Sequence, residues 1–141
     1  GNVSVIGGGL VGVETAEYLA SRGCKVTIVE MMDTIAKEES STVLPTLMSE
    51  LNRYQVTMLT SAKLSEIKEN CVIVEKSAEN EAPAQLTIPS DFVVMAVGAR
   101  KNVPDLTGCP LPLHYVGDCA GDRPSNIEHA IKSAYEVANA I

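Results

Sequence analysis

Six residues near the amino end, Gly7-Gly8-Gly9-Leu10-Val11-Gly12, constrain this chain more than any other stretch. They fit G-x-G-x-x-G, a pattern that in isolation marks little more than a glycine-rich turn. The flanking residues narrow its meaning. Val3-Ser4-Val5-Ile6 is a short β-rich run, and Leu10, Val11, Ala16, Leu19 and Ala20 are spaced for one face of a helix from Leu10 to Ser21, stopped by Arg22-Gly23. Lys25 to Glu30 (KVTIVE) reads as a second strand. Strand, glycine turn, helix and a second strand ending in an acid make up a dinucleotide-binding β-α-β unit.

Each position in that unit has a physical task. Gly7 permits the tight turn, Gly9 removes a side chain where a pyrophosphate must approach, and Gly12 lets helix and strand pack closely. Gly8, Leu10 and Val11 complete the cofactor-binding loop, and the helix beyond offers unpaired N–H groups and the positive end of its dipole to phosphates. Glu30 is placed to accept hydrogen bonds from the adenosine ribose hydroxyls. Met31, Met32 and Asp33 follow it, so a 2′-phosphate would find a basic partner only in Lys37, and NAD(H) is expected over NADP(H). FAD uses a similar β-α-β unit, so the glycines alone do not separate flavin from nicotinamide.

Further along, Ser40-Ser41-Thr42 offers a cap for a second helix with Pro45 in its first turn and an apolar face of Val43, Leu44, Leu47, Met48 and Leu51. Gln55 to Leu59 reads as a third strand. Lys63 to Lys68, Cys71 to Lys76 and Gln85 to Ile88 then alternate as an antiparallel meander, with turns at Asn70 and at residues 79–83. Phe92 to Val97 is apolar at every position, as expected of a central parallel strand covered on both faces. After a proline-rich loop from Asn102 to Pro112 come a short strand, Leu113 to Val116, a break at Gly117-Asp118, and a capping box, Ser125-x-x-Glu128, opening a last amphipathic helix. The expected fold is α/β, a Rossmann-like three-layer arrangement with a central parallel sheet and an antiparallel β-meander as crossover.

Composition removes several functions. A net charge of −7 without any Lys/Arg cluster disfavours nucleic acid as a partner. The longest apolar run, Phe92 to Ala99, is far short of the roughly 18 to 20 residues needed to cross a bilayer, so no membrane partner and a cytoplasmic setting are expected. Cys24, Cys71, Cys109 and Cys119 form no C-x-x-C or other metal-ligand pair, and we read all four as reduced. The chain reaches its first strand almost at once and opens without Met, as a piece of something longer would.

Three segments together, VSVIGGGLVGVETAEYLASRGCKVTIVEMMDTIAKE, DFVVMAVGARKN and YVGDCAGDRPSNIEHAIKSAYEVANAI, resemble the C-terminal region of the old yellow enzyme-like NADH:flavin oxidoreductases, which include the 2-enoate and 2,4-dienoyl-CoA reductases. The resemblance implies an NAD(P)-binding domain at residues 1–102 and, at 103–141, the returning C-terminal segment of an FAD-binding domain. It implies NAD(H) as cofactor here and FAD in the intact parent, with the missing flavin and barrel domains as partners of this piece. By the same resemblance Glu14 lies toward the nicotinamide end, its alternative being an exposed carboxylate on the first helical turn. Gly98 lies beside the nicotinamide nucleotide, its alternative being a strand-end turn. Asp118 holds the ribityl chain of FAD, with Asn126-Ile127 near the isoalloxazine. No C-x4-C redox dithiol is present in this sequence.

The function expected is to hold NADH for hydride transfer to FAD, a step that needs orientation and no acid–base side chain, so no catalytic residue is assigned. Taken alone, the piece is expected to be inactive. A stand-alone nucleotide-binding or redox-sensing module is the alternative. A short-chain dehydrogenase is excluded because none of Tyr18, Tyr54, Tyr115 and Tyr135 is followed four residues later by Lys, and His114 and His129 read as surface residues.

Overall fold

The computed structural model describes residues 1–37, 42–78, 81–122 and 126–141, and it divides into two compact units, Gly1–Gly98 and Ala99–Ile141. The first is built on a parallel sheet of β1 (Asn2–Ile6), β2 (Lys25–Val29), β3 (Thr57–Leu59) and β7 (Phe92–Met95) in the order β3-β2-β1-β7. Register is direct: Val5 lies opposite Ile28 on one side and Val94 on the other. Helices α1 (Leu10–Ser21) and α2 (Leu44–Arg53) follow β1 and β2. Strands β4 (Ala62–Ile67), β5 (Cys71–Ala78) and β6 (Glu81–Pro89) form a separate antiparallel sheet in that order.

Strand periodicity explains the layers. Successive side chains of a strand face opposite sides, and Val3 and Val5 of β1 with Val26 and Ile28 of β2 enter one buried cluster with Val13, Ala16 and Ala20 of α1 and Leu51 of α2. Ile6 and Val29, of the opposite parity, join Ala62, Val72 and Val74 of the meander in a second cluster. Helices thus cover one face of the parallel sheet and the meander the other, which is the expected three-layer α/β architecture. The one polar residue buried within β1, Ser4, shares a hydroxyl–hydroxyl hydrogen bond of 2.5 Å with Ser90.

Several local expectations need correction. Phe92 to Val97 was expected at the sheet centre, yet among the described residues β7 is an end strand with β1 as its one neighbour, and Phe92 is 69% exposed. An all-apolar run reports two apolar faces, and Val93 and Val94 do pack against the two clusters, but it does not count neighbours along the sheet. On α1 the buried residues are Gly12, Val13, Ala16 and Ala20, whereas Leu10 and Val11 are exposed at the helix start. Strand β6 begins at Glu81, so Glu81 to Pro83 extend a hairpin rather than turn. Pro83 is tolerated there because β6 is an edge strand.

In the second unit, Leu113 to Val116 form no strand; a single 3-10 turn, Gly117–Cys119, precedes helix α3 (Ile127–Ala138). A lone four-residue run has no partner to complete a ladder. Ser125 lies outside the described residues, as do Ser40 and Ser41. The cap of α3 is Asn126, whose side chain accepts from the His129 N–H at 2.9 Å. The cap of α2 is Val43, which offers no capping side chain, with Pro45 in the first turn. All four cysteines are free thiols.

Candidate functional site: the glycine loop and its acid

Parallel strands bring their carboxyl ends to one edge of the sheet, and the loop from Gly7 to Gly12 lies at that edge, after β1. Its shape follows from where a side chain cannot go. Gly7 has φ +108°, a conformation that L side chains rarely adopt, and a Cβ there would collide with the Ala96 carbonyl that follows β7. At Gly12 a Cβ would overlap the Gly7 carbonyl and come within 3.3 Å of Ala96 Cβ. The steric demand at Gly12 therefore comes from the turn itself and from Ala96, more than from the strand under the helix. Gly9, the N-cap of α1, is different: its missing Cβ would point into open space, with nothing within 4 Å. No side chain caps this helix end, so its first N–H groups are left for an anion.

Glu30 follows β2 immediately. Its backbone is held on both sides, with Glu30 N–H donating to the Leu59 carbonyl at 2.8 Å and its own carbonyl accepting from Ala62 N–H at 2.9 Å. The side chain is 9% exposed and turned under the glycine loop. There Oε2 accepts from Gly8 N–H at 2.5 Å and Oε1 accepts from Met32 N–H at 2.7 Å. Ala36 N–H donates to the Gly8 carbonyl at 2.6 Å, and Ile35, buried, packs where a Gly8 side chain would stand.

Of the candidate residues, the structure brings Gly7, Gly8, Gly12 and Glu30 into contact, with Gly9, Leu10 and Val11 exposed at the start of α1. Glu14 is exposed, one turn further along α1. Gly98, also exposed, lies beyond β7 at the end of the first unit. Met32, Ile35, Ala36 and Ala96 were missed. The signal for two of them was visible: Ile35-Ala36 is an apolar pair set between Asp33-Thr34 and Lys37, and both are buried. Lys37 pairs with Asp33 at 3.8 Å on the surface.

Asp118 belongs to the second unit, where it lines a cavity of about 270 Å³ with Asn126, Ile127 and Ala130. The turn that carries it is tied to α3 by Gly117 N–H donating to Ser133 Oγ at 2.9 Å, and Ser133 in turn donates to the Ala130 carbonyl at 3.0 Å. Asp118 and the Asn126-Ile127 helix start, joined in the sequence only by the resemblance, thus border one concavity. Elsewhere in this unit, the Thr107 hydroxyl and then the Thr107 N–H hold the Asp105 carboxyl below its ordinary range. Among the described residues no helix is long and apolar enough to cross a membrane.

Comparison with known proteins places this geometry in context. The model of the family described as "Pyridine nucleotide-disulphide oxidoreductase" matches residues 1–115. A bilirubin reductase of Mediterraneibacter gnavus is 46% identical over 144 residues, covering 100% of this chain and 22% of that protein. An NADH oxidase of Thermoanaerobacter brockii is 38% identical over 143 residues, covering 96% of this chain and 21% of its own length. Among solved structures, a 2-naphthoyl-CoA reductase in complex with 2-naphthoyl-CoA superimposes with a TM-score of 0.78 at 25% identity, covering 99% of this chain and 21% of that one. The chain spans about a fifth of the length of these relatives.

Proposed function

This chain belongs to the pyridine nucleotide-disulphide oxidoreductase family, and from that premise we propose that it holds NADH for hydride transfer to FAD within a longer flavin-dependent oxidoreductase of the old yellow enzyme-like kind. The observation that carries this reading is the glycine loop: Gly7 and Gly12 have no room for a side chain, while Gly9 faces open space at an uncapped helix end. A pyrophosphate fits that combination, because it needs close backbone approach and free N–H donors. Glu30 has oxygen lone pairs beyond the two its backbone partners use, and they accept the adenosine ribose hydroxyls. Bound there, NADH would supply a hydride for the flavin of the longer protein. The protein's own part is to fix the direction from which the nicotinamide approaches, with Glu14 and Gly98 toward that end.

Residues 103–141 are assigned to the returning segment of the FAD domain. Asp118, at the cavity it shares with Asn126 and Ile127, is the residue that holds the ribityl chain. The names of the relatives support an oxidoreductase: one is an NADH oxidase, and two others are a bilirubin reductase and a 2-naphthoyl-CoA reductase.

NADH is preferred to NADPH for an electrostatic reason. A 2′-phosphate removes a hydroxyl donor from Glu30 and adds negative charge beside it, and the nearby cation, Lys37, is already paired with Asp33. Charge-assisted hydrogen bonds are worth about 1.5 to 3 kcal/mol, so NADH should bind at least about tenfold more tightly at moderate salt. Calorimetric titration of both nucleotides into the 141-residue chain tests this. Equal affinities, or a preference for NADPH, would refute the assignment of Glu30, and no binding of either would refute the nucleotide site itself.

A further inference from the structure

We propose that Glu30 is a positioning residue for the glycine loop as well as a ribose acceptor: its carboxylate bridges the Gly8 and Met32 amides and sets the phosphate-facing backbone before a nucleotide arrives. The inference rests on the nucleotide-binding reading above and gives the same side chain a second task.

Three observations carry it. First, both carboxylate oxygens are engaged by the chain's own backbone, Oε2 by Gly8 N–H and Oε1 by Met32 N–H, in a side chain that is almost wholly buried. A carboxylate offers about four acceptor positions, so these bonds leave room for hydroxyls as well. Second, the loop is built to admit the carboxylate. A Cβ on Gly8 would stand 2.8 Å from Ile35 Cγ2, 3.0 Å from Glu30 Cβ and 3.1 Å from its Cγ, so a glycine at this position leaves room beneath the turn for both Ile35 and the acid. Third, the bridge continues. The Met32 carbonyl accepts from Ser61 N–H at 2.7 Å, and the Ser61 carbonyl accepts from Ser77 N–H at 2.8 Å, so one run of hydrogen bonds joins the glycine loop to the meander. With the Gly8 carbonyl held by Ala36 N–H, residue Gly8 is held through both its N–H and its carbonyl, and so the two successive peptide groups that flank it are fixed. Preorganisation of this kind lowers the ordering cost of binding.

A chemical cycle separates the two tasks. NADH and its analogue bearing a 2′,3′-dideoxyribose on the adenosine side are titrated into the wild-type chain, Glu30→Ala and Glu30→Gln, and amide hydrogen exchange is followed in the nucleotide-free proteins. The analogue has no adenosine hydroxyl for Glu30 to accept from. Glu30→Ala should still weaken it by about fivefold or more. Exchange at the Gly8 amide should rise by about tenfold or more, while Val5 and Val13 keep their rates. Glu30→Gln keeps one carbonyl acceptor and turns an amide donor toward the other N–H, so its effects should be intermediate; if Glu30→Ala does not fold, Glu30→Gln decides. Equal affinity for the analogue in wild type and variant overturns the inference, as does unchanged exchange at Gly8. Failure of wild type to bind NADH at all defeats the nucleotide reading and this inference together, whereas NADH binding with unchanged exchange defeats this inference alone.

Discussion

The two units of the molecule treat apolar residues in opposite ways. Every buried hydrophobic residue among those described lies between Val3 and Val74, in the first unit, where helices and meander close both faces of the parallel sheet. In the second unit no described residue is buried, although α3 is amphipathic and is capped at Asn126. Ile127 is 79% exposed, and Ile131 and Tyr135 lie open on the same helix. Pattern and cap are thus sufficient to specify a helix, but the burial that stabilises it is a property of what surrounds it.

The largest effect that tests this contrast is truncation of an equivalent side chain in each unit. Ile28→Ala, at a fully buried position, should cost about 2 to 5 kcal/mol, whereas Ile131→Ala should change stability by no more than about 0.5 kcal/mol. Denaturant melts followed by far-UV circular dichroism measure both, and similar costs would show that α3 is packed after all. Next in size is Gly12→Val, which forces a side chain against the Gly7 carbonyl and Ala96. Overpacking of that kind costs about 1 to 3 kcal/mol and should abolish tight NADH binding while leaving α3 amide exchange unaltered. An unchanged melting temperature together with unchanged affinity would mean the loop is not packed as described.

The smallest effect belongs to the second unit. The Asp105 carboxyl is held below its ordinary 3.8, first by the Thr107 hydroxyl and then by the Thr107 N–H. A depressed folded value contributes stability above the unfolded value and loses it as pH falls through the folded one. Local order of the 105–107 turn should therefore persist at pH 5 and be lost only in stronger acid. Thr107→Ala should raise the carboxyl titration toward 3.8, read by carbon-13 NMR, with no change in the amide shifts of Gly8 or Val13. A titration that Thr107→Ala does not move would show that the Thr107 hydroxyl is not what lowers the Asp105 carboxyl.

How much of this was legible before the structure follows the same divide. The first β-α-β unit was readable residue by residue because its constraints are local: a glycine turn, a helical period and a strand that ends in an acid. Helix α1 runs over the expected Leu10–Ser21. Phe92 to Val97 misled because hydrophobicity along a strand does not encode its place in the strand order, and Leu113 to Val116 because a strand exists only where a neighbour accepts its hydrogen bonds. At the site, the spacing located Glu30 but not the use of its oxygens. The bonds to Gly8 and Met32 depend on a loop path that no periodicity records.

The parallel sheet also sorts the surface by its tolerance for change. At the edge opposite the glycine loop the strands begin, and there lie Gly1 and Asn2, the Arg22–Lys25 turn, the Gln55–Val56 approach to β3, and Ser90-Asp91, tied by Asp91 Oδ2 accepting from Asn2 N–H at 2.6 Å. Substitutions and insertions at that rim are separated from the glycine loop by the length of each strand. Apart from Val56 and Ser90, which are buried, that rim can change, acquire new contacts or accept a fusion while the glycine loop keeps its shape. A scaffold with that polarity can be recruited into many longer proteins without rebuilding its site.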